Sequence, residues 1–487
     1  MKKIFTIIAT FILLVSYGCG SKEQTTPEQI DAPKVTSSTP ADGETDVPEG
    51  SLEAVIVFDQ NIKCSGEGVT IDEGASVEKV FAYNTSLKIN ISGLVCEKTY
   101  TLTIPEGIVT GFKENQKASS KITVRFTTED GPLTPPEPGT APDGWENSSA
   151  AVLNMGTGWN LGNTMDSNGD WIVQYTAQTP SDWETAWGQP VTKPELIKMF
   201  AQAGFGAIRV PVTWKEHFAA DNTINEAWMA RVEEIVGYVL DAGMYCILNS
   251  HHDTGTEGWL HASSSNYAQN SEKYKKMWQQ IATRFEKYGN RLIFESFNEM
   301  LDNSNNWGNP SDDAVGAINS YNADFVATVR STGGNNAKRN LILNTYAANV
   351  ESNSLNGFTV PTDSAQDHLI AEFHSYAPYR FAFHQEDSSQ QLSVFDDACK
   401  SEVESIINRA AAALHAKGLP CIIGEYGSDS AVASDTELGK QAACYVSTAK
   451  ANSMACFYWM GLSDGEDRSV PKWTKPVIKD AILKAYK

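Results

Sequence analysis

Two kinds of apolar patterning divide this chain of 487 residues. Between residues 33 and 129, apolar and polar positions alternate in short runs that are separated by Gly, Pro, Asn and Asp. Such alternation places successive side chains on opposite faces of a strand and is typical of sheets with one buried face. The clearest runs are AVIVFDQ, GVTID, SLKINIS, TYTLTIP and KITVRFTT. We therefore predict an antiparallel β-sandwich for this region.

From about Trp145 to the end, the apolar runs lack this alternation, and each is followed by a polar loop and usually by a helical pattern. Strands of a parallel sheet that helices cover on both faces have this pattern. Eight runs occur in the order GTGWNLGN, GAIRVPV, YCILNSHH, LIFESFNE, NLILNTY, HLIAEFHSY, CIIGEYG and ACFYWM. Eight such units predict an α/β fold, the (β/α)8 TIM barrel.

The first residues have two Lys, an apolar run from Ile4 to Val15 and small residues up to Cys19, which is the pattern of a signal peptide. No second apolar run is long enough to span a bilayer. A polar tether and a Pro-rich, extended linker flank the sandwich. The predicted division is a signal peptide at 1–19, a tether at 20–32, the sandwich at 33–129, the linker at 130–144 and the barrel at 145–487.

Polar and aromatic side chains concentrate where the apolar runs of the second region end. In a (β/α)8 barrel these strand ends form the open face that carries the working residues. They are Asn160, Asn163, Arg209, His251, His252, Asn298, Glu299, Tyr346, His374, Tyr376, Glu425 and Trp459. Packing does not account for such a concentration. Glu299 after the fourth run and Glu425 in the seventh indicate two carboxylates that work as a pair.

These motifs resemble glycoside hydrolase family 5, the cellulase-type retaining glycosidases, from about Asn154 to Trp459. IRVPVTW, FNE, HSY and GEYG each occur where the family pattern requires them. GWNLGNTMDS and ETAWG are similar to the branch that contains endo-β-1,4-glucanases and xyloglucanases. One departure is Met300, where the family often has Pro.

Two further resemblances concern the N-terminal part of the chain. The motifs STPADGETDVP and YTLTIPEGIVTG resemble the bacterial Ig-like modules found beside exported enzymes. The signal peptide resembles that of bacterial lipoproteins, which implies that Cys19 is lipidated and becomes the mature N-terminus. Cys64 and Cys96 of the Ig-like region could form a disulfide, which an exported compartment permits.

The resemblance to family 5 implies a role for each strand-end residue. Glu299 would be the general acid and base and Glu425 the nucleophile, with their carboxyl groups about 5 Å apart. Arg209 and Tyr376 would hydrogen-bond Glu425 and keep it ionised. The other residues expected to bind substrate or support the site are Asn163, His251, His252, Asn298, His374 and Trp459.

Zinc is the alternative that the adjacent histidines suggest. We expect no metal and no cofactor, because adjacent residues on a strand point to opposite faces and no HExxH motif or Cys set is nearby. For Glu295, four residues before Glu299, a structural role deeper in the barrel is expected. A role in sugar binding or in packing stays open for Trp183, Trp187, Trp214, Trp259 and Trp307.

A net charge of −22 disfavours nucleic acid and anionic membrane surfaces as partners. The predicted protein is an exported monomer that cleaves soluble or amorphous β-1,4-glucan. Its expected place is the bacterial outer membrane or cell surface, to which a lipid alone attaches it, and otherwise it is secreted. Xyloglucan, mixed-linkage glucan, mannan and xylan remain alternative substrates. The presence of both Glu299 and Glu425 argues against a glycan-binding protein without activity.

Overall fold

A computed structural model describes residues 30–129 and 145–487. The predicted signal peptide with Cys19, most of the tether and the linker at 130–144 lie outside the described residues. The chain divides into two compact units, one on each side of the linker, and each is described separately. Within the described ranges, no helix combines the length and the apolar character that crossing a membrane requires.

The described residues of the first unit form ten strands. They are β1 (Val35–Thr39), β2 (Glu44–Val47), β3 (Gly50–Phe58), β4 (Ile62–Cys64), β5 (Thr70–Ile71), β6 (Ser76–Tyr83), β7 (Ser86–Leu94), β8 (Thr99–Ile104), β9 (Val109–Gly111) and β10 (Ile122–Thr128). Two four-stranded sheets have the orders β1-β3-β7-β6 and β2-β10-β8-β5, and β4 pairs with β9. The predicted sandwich is therefore confirmed, with one difference: β2 and β10 pair in parallel.

The core of this unit follows from the alternation in its strands. Tyr100, Leu102 and Ile104 of β8 are fully buried, whereas the Thr residues between them are partly exposed. The two cysteines that could have paired, Cys64 and Cys96, are free thiols in the structure.

The second unit is a closed barrel of eight parallel strands in chain order, as predicted. They are β11 (Thr157–Asn160), β12 (Ala207–Val210), β13 (Tyr245–Leu248), β14 (Leu292–Glu295), β15 (Leu341–Asn344), β16 (Leu369–His374), β17 (Cys421–Tyr426) and β18 (Ala455–Trp459). Every residue of β11 to β17 is buried, which explains why the sequence shows no alternation there.

Helices surround the barrel and connect its strands. They are α1 (Ser148–Met155), α2 (Asp170–Tyr175), α3 (Pro180–Glu184), α4 (Pro194–Ala203), α5 (Glu226–Asp241), α6 (Ser264–Phe285), α7 (Asp312–Ser331), α8 (Ser352–Gly357), α9 (Tyr379–Ala382), α10 (Asp397–His415), α11 (Asp435–Ala451), α12 (Glu466–Ser469) and α13 (Pro476–Tyr486). Short 3-10 helices occur at Lys215–His217, Gly334–Ala337, Tyr346–Ala348 and Ser388–Gln390. Most long helices begin after a residue whose side chain accepts a backbone N–H of the first turn: Asn225, Ser263, Ser311, Asp396 and Ser434.

Helix α1 packs against the N-terminal end of the barrel, opposite the face that carries the strand-end polar residues. Its Ala151, Val152 and Met155 share one apolar cluster with interior side chains of seven strands. The carbonyl oxygen of Met155 lies 2.4 Å from where a Cβ of Gly206 would be, so the start of β12 tolerates no side chain at that position. Closing this end leaves the C-terminal ends of the strands as the open face.

We predict that a chain beginning at residue 140 folds by itself. The barrel unit draws its apolar clusters from residues 151–483, and the sandwich draws its own from residues 47–126. The truncated chain should therefore show one cooperative thermal transition by circular dichroism. A fragment of residues 30–129 is the matched control. An insoluble truncated chain, or one that melts without cooperativity, would contradict independent folding.

Candidate active site

The candidate site lies where the barrel strands end. Arg209 belongs to β12 and Glu425 to β17, while His374 is the last residue of β16. Glu299 follows the end of β14 by four residues, and Trp459 ends β18. Strand pairing places His374 directly beside Glu425, so neighbouring strands bring together side chains that are far apart in sequence.

A fully buried guanidinium, that of Arg209, organises the floor of the site. Its Nε and Nη2 donate to Glu295 at 2.7 and 2.8 Å, and Nη1 donates to Glu425 at 2.8 Å. The same group donates to the side-chain oxygens of Asn160 and Asn298, each at 2.9 Å. A planar fork of donors can satisfy all these acceptors at once. Glu295 therefore has the structural role that the sequence analysis expected for it.

The carboxylates of Glu299 and Glu425 both approach Nδ1 of the His374 ring. His374 Nδ1 is 2.9 Å from Glu299 Oε1 and 3.7 Å from Glu425 Oε2. One oxygen of each carboxylate and a ring nitrogen of His374 all lie within 4.8 Å of one another. The hydroxyl of Tyr376 donates to Glu425 Oε2 at 2.7 Å. The Glu299 side chain is 22% exposed and that of Glu425 only 6%, so the two carboxylates differ in their access to water.

Burial raises the pKa of the Glu425 carboxyl. His374 and Arg209 oppose this shift by their charges, Glu299 adds to it, and the Tyr376 hydroxyl opposes it by its hydrogen bond. From the sequence, the charge of Arg209 and the hydrogen bonds were expected to favour the ionised form of the Glu425 carboxylate. Desolvation outweighs those partners because the carboxylate lies deeper than its position near a strand end suggested.

His374 differs from the other site histidines in its charge. Burial alone would lower its pKa, but the carboxylates of Glu425, Glu299 and Glu372 raise it to about 10. His374 is therefore an imidazolium at neutral pH and supplies a second cation beside Arg209.

His251 is neutral by contrast, because burial, followed by the charges of His252, Arg209 and His374, holds its pKa well below the usual range. Asn249 fixes the tautomer of His251. The Asn249 Oδ1 accepts the backbone N–H of Val212, so its Nδ2 faces the His251 Nδ1 at 3.1 Å. The proton of His251 consequently lies on Nε2. The His251 ring stacks parallel to Trp459, with centroids 5.6 Å apart and planes 6° apart.

Zinc was discounted at the adjacent histidines because their side chains were expected to point to opposite faces of a strand, and that expectation is wrong. His251 and His252 follow the end of β13 by three and four residues, and their ring centroids are only 4.6 Å apart. With Asp166 they form a group whose potential ligand atoms lie within 4.8 Å of one another. Both carboxylate oxygens of Asp166 already accept backbone N–H groups, from Asn163 and Thr164. His252 packs its ring edge to face against Trp187, and burial lowers its pKa to about 4.

The remaining expected site residues divide into those at the open face and those in the core. Asn163 lies in the turn after β11 with φ of 55°, and among the described residues no hydrogen bond joins its side chain to either catalytic candidate. Trp183 and Trp214 are buried in the core, so packing is their role. Trp187 and Trp259 are partly exposed, and Trp307 is 54% exposed.

Two buried polar residues of the site were not predicted from the sequence. Asn249 orients His251, and Glu372 lies 3.3 Å from His374 Nε2. The signal for Glu372 was present: a carboxylate within an apolar run, two residues before His374 and therefore on the same face of the strand. Glu295 and Glu299 are likewise separated by an even number of residues, in their case four.

Comparison with known proteins yields two family matches and a set of similar enzymes. The profile of the family described as cellulase (glycosyl hydrolase family 5) matches residues 165–464, and that of a bacterial Ig-like domain matches residues 29–128. Endoglucanase A of Clostridium longisporum is 35% identical over 359 residues, which cover 70% of this chain and 66% of that protein. Endoglucanase A of Ruminococcus albus is 34% identical over 350 residues, covering 69% of this chain and 92% of that protein.

Similar solved structures include two enzymes with bound oligosaccharides. One is a glycoside hydrolase family 5 enzyme from Prevotella bryantii B14 in complex with a xyloglucan tetradecasaccharide, 40% identical, with a TM-score of 0.65 and coverage of 70% of this chain and 99% of that chain. The other is a broad-specificity endoglucanase from Ruminococcus champanellensis with bound cellotriose, 36% identical, with a TM-score of 0.64 and coverage of 69% and 98%.

We predict that Arg209→Lys destabilises the barrel more than a comparable change outside the site. A single ammonium cannot reach Glu295, Glu425 and the two Asn acceptors together, so buried acceptors lose their donors. The free energy of unfolding in urea should fall by about 2 kcal/mol or more. Arg330→Lys is the matched control, because Arg330 is also nearly buried but serves Asp363 as its single carboxylate partner. An equal or smaller loss in Arg209→Lys would contradict the central role of this guanidinium.

Proposed function

The chain belongs to glycosyl hydrolase family 5, and we propose that its barrel cleaves internal β-1,4 linkages of a glucan with retention of anomeric configuration. The observation that carries this proposal is the pair Glu299 and Glu425, whose nearest oxygens lie within 4.8 Å of each other across the open face. Retaining glycosidases hold their two carboxyl groups about 5 to 5.5 Å apart, whereas inverting enzymes leave about 6.5 to 9.5 Å for a water molecule. The short separation supports a covalent intermediate.

The surroundings of the two carboxylates support different roles. Glu425 has each oxygen held by a fixed donor, Arg209 on Oε1 and Tyr376 on Oε2. Such a carboxylate is oriented for attack and is compensated in its ionised form, as a nucleophile requires. Glu299 is more exposed and has a hydrogen bond to His374 Nδ1, so it can exchange a proton with a leaving group or with water.

The proposed reaction has two steps. Glu425 attacks the anomeric carbon while Glu299 protonates the departing glycosidic oxygen, which gives a glycosyl-enzyme. Glu299, now ionised, then removes a proton from water as the water attacks the same carbon and releases Glu425. Two inversions give net retention. Neither step requires a redox change or a group that the two carboxylates cannot supply.

Neighbouring side chains suit a neutral sugar in this position. The Trp459 ring lies at the end of β18 and offers an apolar face on which the C–H face of a sugar can stack. Arg209 binds Asn298 through its Oδ1, so the amide N–H groups of Asn298 face away from the guanidinium and can donate to a sugar hydroxyl. The neutral His251 places its Nε2–H beside Trp459 as a further donor.

Xyloglucan is the second candidate substrate. The Prevotella bryantii enzyme, of which the match covers 99%, has a bound xyloglucan oligosaccharide, and the Ruminococcus champanellensis enzyme is described as having broad specificity. A main chain of β-1,4-glucan is common to both candidates. We therefore propose that the main chain is recognised at the bond that is cleaved, whether or not it carries side branches.

We predict activity on soluble β-1,4-glucan and on xyloglucan, with oligosaccharides as the early products. The purified chain is incubated with carboxymethyl cellulose, xyloglucan, mixed-linkage glucan, β-mannan and β-xylan, and reducing ends and product sizes are measured. Glu425→Gln is the inactive control, because an amide cannot act as the nucleophile. Cleavage of mannan or xylan alone would overturn the substrate, and release of single sugars from chain ends would overturn the endo mode.

The roles of the two carboxylates predict opposite products with azide. Glu299→Ala should still form the glycosyl-enzyme from an aryl β-cellobioside with a good leaving group, since such a group needs little protonation. Azide then attacks that intermediate and gives the β-glycosyl azide. Glu425→Gly cannot form the intermediate, so azide in the vacated space attacks the substrate directly and gives the α-glycosyl azide. Proton NMR of the products distinguishes the two anomers.

Glu295→Ala is the control for this experiment, because it removes a buried carboxylate that lies outside the bond-cleaving pair. It should give no azide product. Interchanged anomers would reverse the two roles. Two folded variants that azide fails to rescue would count against double displacement.

A further inference from the structure

Glu372 is a fully buried carboxylate beneath the proposed catalytic pair. It lies in β16, two residues before His374, and its Oε1 is 3.3 Å from His374 Nε2. The opposite ring nitrogen, Nδ1, contacts Glu299 at 2.9 Å. His374 therefore connects Glu372 to Glu299 through its two ring nitrogens.

A glycine on the neighbouring strand leaves room for the contact between Glu372 and His374. Gly424, the residue before Glu425, has no side chain, and a Cβ there would lie 1.5 Å from Glu372 Oε1 and 3.0 Å from His374 Nε2. A larger residue would push the carboxylate off the ring. The fold therefore holds Glu372 and His374 together from the neighbouring strand β17 as well as from their own strand.

Charge compensation of Arg209 accounts for Glu372 only in part. Glu295 already occupies Arg209 Nε and Nη2 with two short bonds, and Glu372 Oε1 is 3.6 Å from Nε, beyond hydrogen-bond distance. The Asn344 amide is at 3.4 Å from Glu372 Oε2 and is shared with Glu295 at the same distance. The ring of His374 is thus the nearest donor that Glu372 has among the described residues.

The charged groups around this pair come from three other strands and one loop. Arg209 of β12 and Glu295 of β14 face Glu372, while Glu425 of β17 and Glu299 after β14 face His374. Burial and the charge of Glu295 raise the pKa of Glu372 to about 7, opposed by Arg209 and His374. Glu372 is thus costly to hold ionised in this position, and the imidazolium offsets part of that cost.

We propose that Glu372 is a positioning residue that acts through His374 on Glu299. By accepting the Nε2 proton, Glu372 joins Glu425 and Glu299 in keeping the ring doubly protonated, so that Nδ1–H points to Glu299 as a donor. That donor orients the Glu299 carboxylate and favours its ionised form, which is the form needed when Glu299 acts as the base. The inference rests on the roles proposed above for Glu299 and Glu425.

The test is the pH dependence of kcat/KM for Glu372→Gln on a soluble glucan. With the carboxylate removed, His374 loses one of the three carboxylates that raise its pKa, so the ring gives up its second proton at a lower pH. The proton that remains stays on Nε2 facing the Gln oxygen, and Nδ1 becomes an acceptor. The positive charge that is lost lies nearer Glu299 than the negative charge that is lost, so Glu299 keeps its own proton to higher pH. The basic limb should move up by roughly one pH unit. His252 and Tyr376 also face Glu299 and are unchanged in this variant.

Glu295→Gln is the matched control. It also replaces a fully buried carboxylate beside Arg209, but no hydrogen bond or ion pair joins Glu295 to the His374 ring among the described residues. Its basic limb should stay in place. In a His374→Asn background, Glu372→Gln should no longer move the limb, because its route to Glu299 is gone. A basic limb unmoved by Glu372→Gln, or moved equally with and without His374, would overturn the proposal.

A measurement on the unaltered chain keeps the proposal testable if the variant fails to fold. In nitrogen-15 NMR of histidine-labelled protein at pH 7, His374 should show both ring nitrogens protonated, with its signals assigned by their loss in His374→Asn. A neutral His374 ring at pH 7 would overturn the proposal. Failure of the proposed function is distinguishable, because the wild type would then be inactive on glucans or the azide anomers would be interchanged.

Discussion

One buried guanidinium restricts where the side chains at the open face of the barrel can lie. Arg209 is fully buried and bonds Glu295, Glu425, Asn160 and Asn298, which lie in or just after three other barrel strands. A charge without solvent must be paired and fully hydrogen-bonded, so each of these partners has little freedom to move. The geometry of the catalytic candidates follows from that constraint, because Asn298 immediately precedes Glu299 and Glu425 is itself a ligand of the guanidinium.

The barrel makes such a cluster possible because it brings together residues that are far apart in the sequence. Arg209 and Glu425 are 216 residues apart in sequence, yet their side chains form a bond of 2.8 Å. Parallel strands that tilt around a closed barrel bring successive strand ends to one rim. Helix α1 packs at the other end, so the polar cluster has a rigid apolar base below it.

Pattern and position in the sequence predicted the fold and the choice of residues at the rim. The uninterrupted apolar runs indicated a covered parallel sheet, and Arg209, Tyr376, Glu425, Glu299 and His374 do lie together. The sequence did not show how deeply each side chain is buried or in which direction it points. Strand periodicity cannot be extended past the end of a strand, which is why the separation of the two histidine rings after β13 was misjudged. Likewise, a Trp between two barrel strands can be buried, as Trp183 of α3 and Trp214 are, because residues outside the strands also fill the core.

The charges of the site make it unfavourable for all of its carboxylates to be ionised at once. Four carboxylates, those of Glu295, Glu299, Glu372 and Glu425, share two cations, Arg209 and His374. If all six groups were ionised, the cluster would carry two uncompensated negative charges in a largely dry space, which is strongly unfavourable. This imbalance falls on the buried members of the cluster, where burial raises the pKa of Glu425 and raises that of Glu372 to about 7. Glu299 alone among the four is more than 20% exposed, so water and a leaving group can reach it most readily. Unequal burial of four carboxylates around two cations thus suits the roles proposed for Glu299 and Glu425, in which one exchanges a proton at the rim and the other is held by fixed donors below it.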